Sequence, residues 1–228
     1  MAFFKTVVRT IASRDWLFAS FMPKPLYGES GNGLHFDISV FKNGADKALF
    51  MGPEIEGAIS GIMSHIEEMT LFFNTTTNSY HRLGSFAAPR FVSWGGGNNR
   101  SQLLLAKRAR DGSARLLLRS PDPLCSPYFA YALLIEAAME GILSKSRPEA
   151  PSDFDISRAP AELLSRYRRL PESLGDAVEA ARNSAFLRSR IPQAVIDKML
   201  ECKSAEWEAY LRAEDRAQFE MSSYFEAL

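Results

Sequence analysis

Apolar positions along this chain change their period several times, and each change predicts an element. Phe3, Phe4, Val7, Val8, Ile11 and Ala12 recur at helical spacing, which predicts a helix over 2–14 with one buried stripe. Residues 16–22 (WLFASFM) read as a strand ended by Pro23 and Pro25, with a glycine-rich turn at 28–33. Residues 34–41 alternate. Leu34, Phe36, Ile38 and Val40 take one face of a strand, and His35, Asp37 and Ser39 take the other. Apolar groups from Ile55 to Leu71 return to the helical period and predict a long helix over 54–72 after Pro53. Strands are expected at 90–94, 101–107 and 114–119, and a helix at 127–145. The Pro- and Ser-rich segment 146–159 reads as a linker or surface loop. Helical patterning resumes from 160, with a break at Pro171 and a long charged helix near 192–213. The fold class expected is α+β: an antiparallel sheet with packed helices over 1–145, then a helical C-terminal region of the same domain over 146–228.

Composition narrows the function classes. The 228 residues are 46% hydrophobic, enough for one compact core. Lys+Arg and Asp+Glu are both 27, which argues against a general nucleic-acid binder or a polybasic membrane anchor. Zero net charge also leaves self-association unopposed by repulsion. Cys125 and Cys202 have neither metal-ligand spacing nor the numbers for a disulfide framework, so a reducing, cytoplasmic setting is expected. No apolar run reaches the roughly 18–20 residues of a membrane span, and the N-terminus lacks a signal-peptide core.

Four places carry candidate chemistry. His35, Asp37 and Ser39 project together at roughly 6.6 Å per two-residue step. A His and an Asp that close could share an ion, and the same face would equally serve as a solvated strand surface. Arg82 follows a polar cluster, Arg100 follows Trp94 and three glycines, and Arg115 and Arg119 flank Leu117 on one strand face. Each arginine suits a carboxylate or phosphate through its planar fork, and each also suits a plain surface charge.

In chain order, FMPKPLYGESGNGLHFDIS (21–39), NTTTNSYHR (74–82), NNRS (98–101) and RSPDP (119–123) resemble the second half of the catalytic domain of type I glutamine synthetases. LPESLGDAVEA (170–180) and the closing ECKSAEWEAYLRAEDRAQFEMSSY are similar to that family's last helices. The resemblance implies a partial glutamine synthetase catalytic barrel. It also implies roles: His35 as a divalent-cation ligand, Ser39 and Arg115 toward nucleotide, Gly31, Arg82 and Arg119 toward glutamate, and Arg100 toward both substrate and phosphate. His81 stands where the family has Lys and is read as a surface change. The family cofactors would be Mg or Mn with ATP.

The departures are as informative as the matches. Ser30 and Asp37 stand where the family has Asn and a second His. Leu105 stands for a phosphate-directed Arg, Leu117 for a metal-binding Glu, and Ala87 for the flap Glu that acts as base. No catalytic residue is therefore assigned, since the base position is Ala87. Most metal glutamates of the family precede these motifs. The expectation is a family member inactive as an isolated chain, with glutamate and ATP as possible ligands. Alternatives are a subunit of a split γ-glutamyl ligase, or a non-enzymatic partner that self-associates or docks on an intact synthetase through its tail. The tail would serve equally to pack on its own domain.

Overall fold

The computed structural model describes residues 1–42, 46–47, 50–85 and 88–225. Helix α1 (Ala2–Arg14) opens the chain. Strand β1 (Phe36–Ile38) is followed by the hairpin strands β2 (Phe41–Lys42) and β3 (Asp46–Lys47). Helix α2 (Pro53–Phe73) begins with proline at its first turn and carries Glu54 and Glu56 there, where acidic groups favour the positive end of the helix dipole. Helix α3 (Thr77–Arg82) is started by a capping box in which Thr76 and Ser79 exchange bonds. Strands β4 (Trp94–Gly96), β5 (Leu104–Arg108) and β6 (Ala114–Leu118) follow, then helix α4 (Pro127–Leu143). The C-terminal region holds a short 3₁₀ turn (Ile156–Arg158), α5 (Ala161–Leu164), α6 (Leu174–Arg182), α7 (Ala185–Arg190), α8 (Gln193–Arg212) and α9 (Arg216–Tyr224).

The sheet runs β1-β6-β5-β4. β1 and β5 both flank β6 antiparallel, but β4 joins β5 in parallel. The sheet is therefore mixed at one edge rather than wholly antiparallel. One face carries Phe36, Leu104, Ala106, Leu116 and Leu118 onto the core built with α2 and α4. Those two helices approach closely because Gly57 and Gly61 meet Gly141. A Cβ on Gly61 would overlap the Ala137 carbonyl oxygen, and one on Gly141 would overlap that of Gly57.

Two expected strands correct to other structure. Residues 16–22 form no strand. Trp16 takes a positive φ of 58°. Side-chain bonds then do the work of a ladder: Arg9 Nε donates to Ala19 O at 3.2 Å, Ser20 Oγ to Phe225 O at 2.6 Å, and Asn32 Nδ2 to Met22 O at 2.8 Å. Residues 90–93 make only one bridge, Phe91 to Arg169, and pairing proper begins at Trp94. The segment 146–159 is stitched to the sheet side. Trp94 Nε1 donates to Glu149 O at 2.8 Å, and Asn99 and Gln102 both donate to Phe154 O.

Candidate anion-binding site

The second face of the sheet carries the candidate chemistry. Residues paired across a ladder share a face. Asp37 pairs with Leu117, Leu117 with Leu105, and Leu105 with Gly95. Three substitutions distant in sequence thus form one transverse row. Leu105 is fully buried and Leu117 half-buried, so the centre of this face is apolar.

Beside the row, past the start of β1 and the end of β6, lies a concavity of about 260 Å³ lined by Ser30, Gly31, Gly33, His35, Arg82, Ser85, Ala88 and Arg119. It gathers four of the residues singled out from sequence: Gly31, His35, Arg82 and Arg119. Arg100 is exposed but close enough for its charge to act on His35 and Arg119. Ser39 and Arg115 are not part of this concavity. Arg115 reaches Asp37 at 3.4 Å in an exposed ion pair, and Ser39 lines a separate apolar groove beside α4. Ala87 lies outside the described residues.

Arg82 is buried and already engaged. Its Nη1 donates to Ser120 O at 2.6 Å and its Nη2 to Arg119 O at 3.2 Å. The glycine turn lies directly on it: a Cβ on Gly33 would sit 2.5 Å from Nη2, and one on Gly31 would overlap the Pro23 carbonyl oxygen. Burial lowers the Arg82 pKa, and Asp122 opposes the shift. Asp122 itself is fully buried, accepting from Asn74 Nδ2 at 3.1 Å and Leu124 N at 2.9 Å, and burial raises its pKa. Burial also lowers the Arg119 pKa, helped by the charges of Arg100 and Arg82. His35 is pulled down to about 4, first by desolvation against its neighbours and then by Arg119, Arg82, Arg100 and Lys107. At neutral pH the concavity therefore presents arginine charge and a neutral imidazole.

A second polar cluster locks this frame to the tail. Glu220 on α9 is buried and accepts from Thr77 Oγ1 and Asn78 Nδ2, both at 2.8 Å. His81 Nε2 lies 3.2 Å from the same carboxylate. His81 is thus a partner of a buried acid, not the plain surface change read from sequence. The only signal was a Lys-to-His replacement, and its partner lies far along the chain. Asn78 also ties the 21–39 segment in place by exchanging bonds with Lys24 N and O.

Comparison with known proteins is decisive at this point. Residues 1–224 match the family described as "Glutamine synthetase, catalytic domain". The chain belongs to the glutamine synthetase catalytic-domain family. It is 37% identical over 218 residues to the glutamine synthetase of Methanosarcina mazei, covering 91% of this chain and 48% of that one. It is 34% identical over 217 residues to the Thermotoga maritima glutamine synthetase, covering 90% and 49%. A GmaS chain solved in complex with ADP superimposes with a TM-score of 0.81 at 31% identity, over 97% of this chain and 52% of that one. The chain spans about half the length of the curated relatives it matches.

This family usually uses ATP and a divalent metal, and the donor set here does not suit Mg²⁺. On the site face His35 is the one imidazole, and Asp37, two residues further along, is paired with Arg115. The position opposite Asp37 is Leu117. Mg²⁺ prefers six oxygen ligands, which one imidazole and one engaged carboxylate do not supply. Among the described residues, no group of three or more His, Cys, Asp or Glu could hold a metal ion, and no helix is long and apolar enough to cross a membrane.

Proposed function

We propose that this chain is a glutamine synthetase half-domain that keeps the family's anion-binding frame and has no ligase activity by itself. The observation that carries the reading is the contrast between one sheet face and the concavity beside it. That concavity gathers Arg82, Arg119 and His35 with Arg100 nearby, while the adjoining row is Asp37, Leu117 and Leu105. Clustered guanidinium groups attract carboxylate and phosphate. Gly31, Arg82, Arg100 and Arg119 would hold the carboxylate of glutamate. Arg100 would meet nucleotide phosphate, with Ser39 and Arg115 further along the strand edge. His35 contributes as a neutral hydrogen-bonding group, since one imidazole does not retain Mg²⁺.

Phosphoryl transfer rests on positioning and charge neutralisation. Two leucines at the centre of the face supply neither, so the ligation step fails even with both substrates bound. The direct check is a glutamine-formation assay with ATP and either Mg²⁺ or Mn²⁺. The expected result is no product above background, and metal-dependent glutamine formation by the purified chain would refute the proposal. Two unpaired cysteines, Cys125 buried and Cys202 exposed, support a reducing, cytoplasmic setting for this role.

A second reading is favoured by a separate observation. The chain covers about half of each relative, and β1 ends the sheet with no strand beyond it among the described residues. Another polypeptide carrying the remaining half would make the pair a split ligase. Docking on an intact synthetase through the tail has less support, because Glu220 and Tyr224 are buried against this chain's own α3.

A further inference from the structure

The 18–33 segment, α3 and the C-terminal helix α9 meet at one buried carboxylate. Glu220 is 1% exposed. Besides its α3 partners Thr77, Asn78 and His81, it accepts from Tyr27 Oη at 3.3 Å. Tyr27 in turn packs edge-on against His81, with ring centroids 5.4 Å apart. A second tie joins the same pieces. Ser20 Oγ donates to Phe225 O, and Phe18 stacks on Phe225 at 5.2 Å. A buried carboxylate is not needed to dock a helix, since an apolar contact of similar volume does so without desolvating a charge. This acid faces donors from two separate elements, which is what positioning requires.

Those two elements also shape the anion site. Residues 22–33 close on themselves, Asn32 N donating to Pro23 O and Asn32 Nδ2 to Met22 O, both at 2.8 Å. Within this loop Gly31 and Gly33 rest on the Arg82 side chain. Helix α3 carries Arg82 and also Asn78, whose side chain bonds Lys24 N, Lys24 O and Glu220 Oε2. Glu220 thus reaches the glycine loop directly through Tyr27 and by relay through Asn78. No residue of α9 lines the concavity. We propose that Glu220 is a positioning residue for the anion site: it fixes the glycine loop against α3, so that Arg82 is held facing the concavity and carboxylate binding is coupled to the docking of α9. This inference rests on the anion-binding reading above. Coupling of this kind is reciprocal, so a ligand that needs the loop in place also holds α9 in place.

The test compares the wild-type chain with two variants. E220Q keeps the side-chain volume but leaves a single acceptor oxygen. S20A/Y27F removes both direct ties from the loop segment while Thr77 and Asn78 stay bonded to Glu220. Glutamate affinity is read by calorimetry. Amide exchange is read at 24–33, at 216–224 and over the sheet strands 104–108 and 114–118, with and without glutamate. Expected in both variants are affinity lowered about fivefold or more, faster ligand-free exchange at 24–33, and unchanged exchange over the sheet. Glutamate slows exchange at 216–224 in the wild type, a response that a merely structural tail would not give. Wild-type affinity in S20A/Y27F would overturn the proposal, as would glutamate that binds and leaves 216–224 unaffected. Where E220Q also loses protection over the sheet, S20A/Y27F decides by the same criteria. Where the wild type binds no glutamate, the anion-binding reading fails separately, and ligand-free exchange at 24–33 in the variants decides: faster rates keep the tie between α9 and the loop, and unchanged rates overturn it.

Discussion

At the residue scale, the site combines Arg82 from α3, Arg100 from a turn and Arg119 at the end of β6 with Leu105 and Leu117 on the sheet face. His35 illustrates how its neighbours set the chemistry. Its folded pKa is about 4, below the ordinary 6.5. Between these values the unfolded chain binds more protons than the folded one, so stability rises with pH through that window. Lowering the pH from 6.5 toward 4 is expected to lower the melting temperature, and His35→Asn to flatten that part of the profile. An imidazole titration by NMR should give a midpoint near 4, and one near 6.5 would contradict the cationic crowding described. The Leu117–Leu105 pair gives a second residue-scale prediction. Mn²⁺ should leave the wild-type melting temperature unchanged. In L117E it should raise it, since a carboxylate then stands across the ladder from Asp37 and close to His35. These leucines were legible from the family pattern one at a time. That they form a single row was not, because register depends on strand pairing and leaves no local mark.

Element by element, what the sequence could show follows from how local each cause is. Helices α1, α2, α4 and α8 fall within two residues of expectation, because their apolar period, and the proline that starts α2, α4 and α8, are local. Segment 16–22 has strand composition but no partner, and long-range side-chain bonds hold it instead. The parallel entry of β4 and the stitching of 146–159 are likewise set by distant partners. Two predictions test element packing. Gly61→Ala forces α2 away from the Ala137 carbonyl and is expected to destabilise by about 1–3 kcal/mol, read from urea unfolding. Glu220→Ala removes the acceptor of Thr77 and Asn78 and leaves buried donors unpaired. It is expected to cost about 1–3 kcal/mol and to free α9 for proteolysis. The Glu220 pKa is lowered on balance, its bonds to His81, Asn78 and Thr77 outweighing burial. Its contribution is therefore present above about 4.5 and is lost as pH falls below that value.

For the molecule as a whole, stability and function have separate supports. The core between the sheet, α2 and α4 is continuous, and the tail closes onto α3 through Glu220. The arginine cluster is held from behind by the buried Asp122, Asn74 and Arg82 network. A sheet whose central row is apolar can therefore remain folded and still gather arginines at its end. Motifs pointed to the arginine cluster; the fold shows which buried side chains hold it in place. The most direct measurement is calorimetric titration of glutamate into the metal-free chain, beside the variants R100A and R119A. The account predicts saturable binding in the wild type and affinity reduced about tenfold or more in both variants, with R100A, an exposed position, keeping the wild-type melting temperature. An absence of heat in the wild type, or equal affinity in all three proteins, would contradict it.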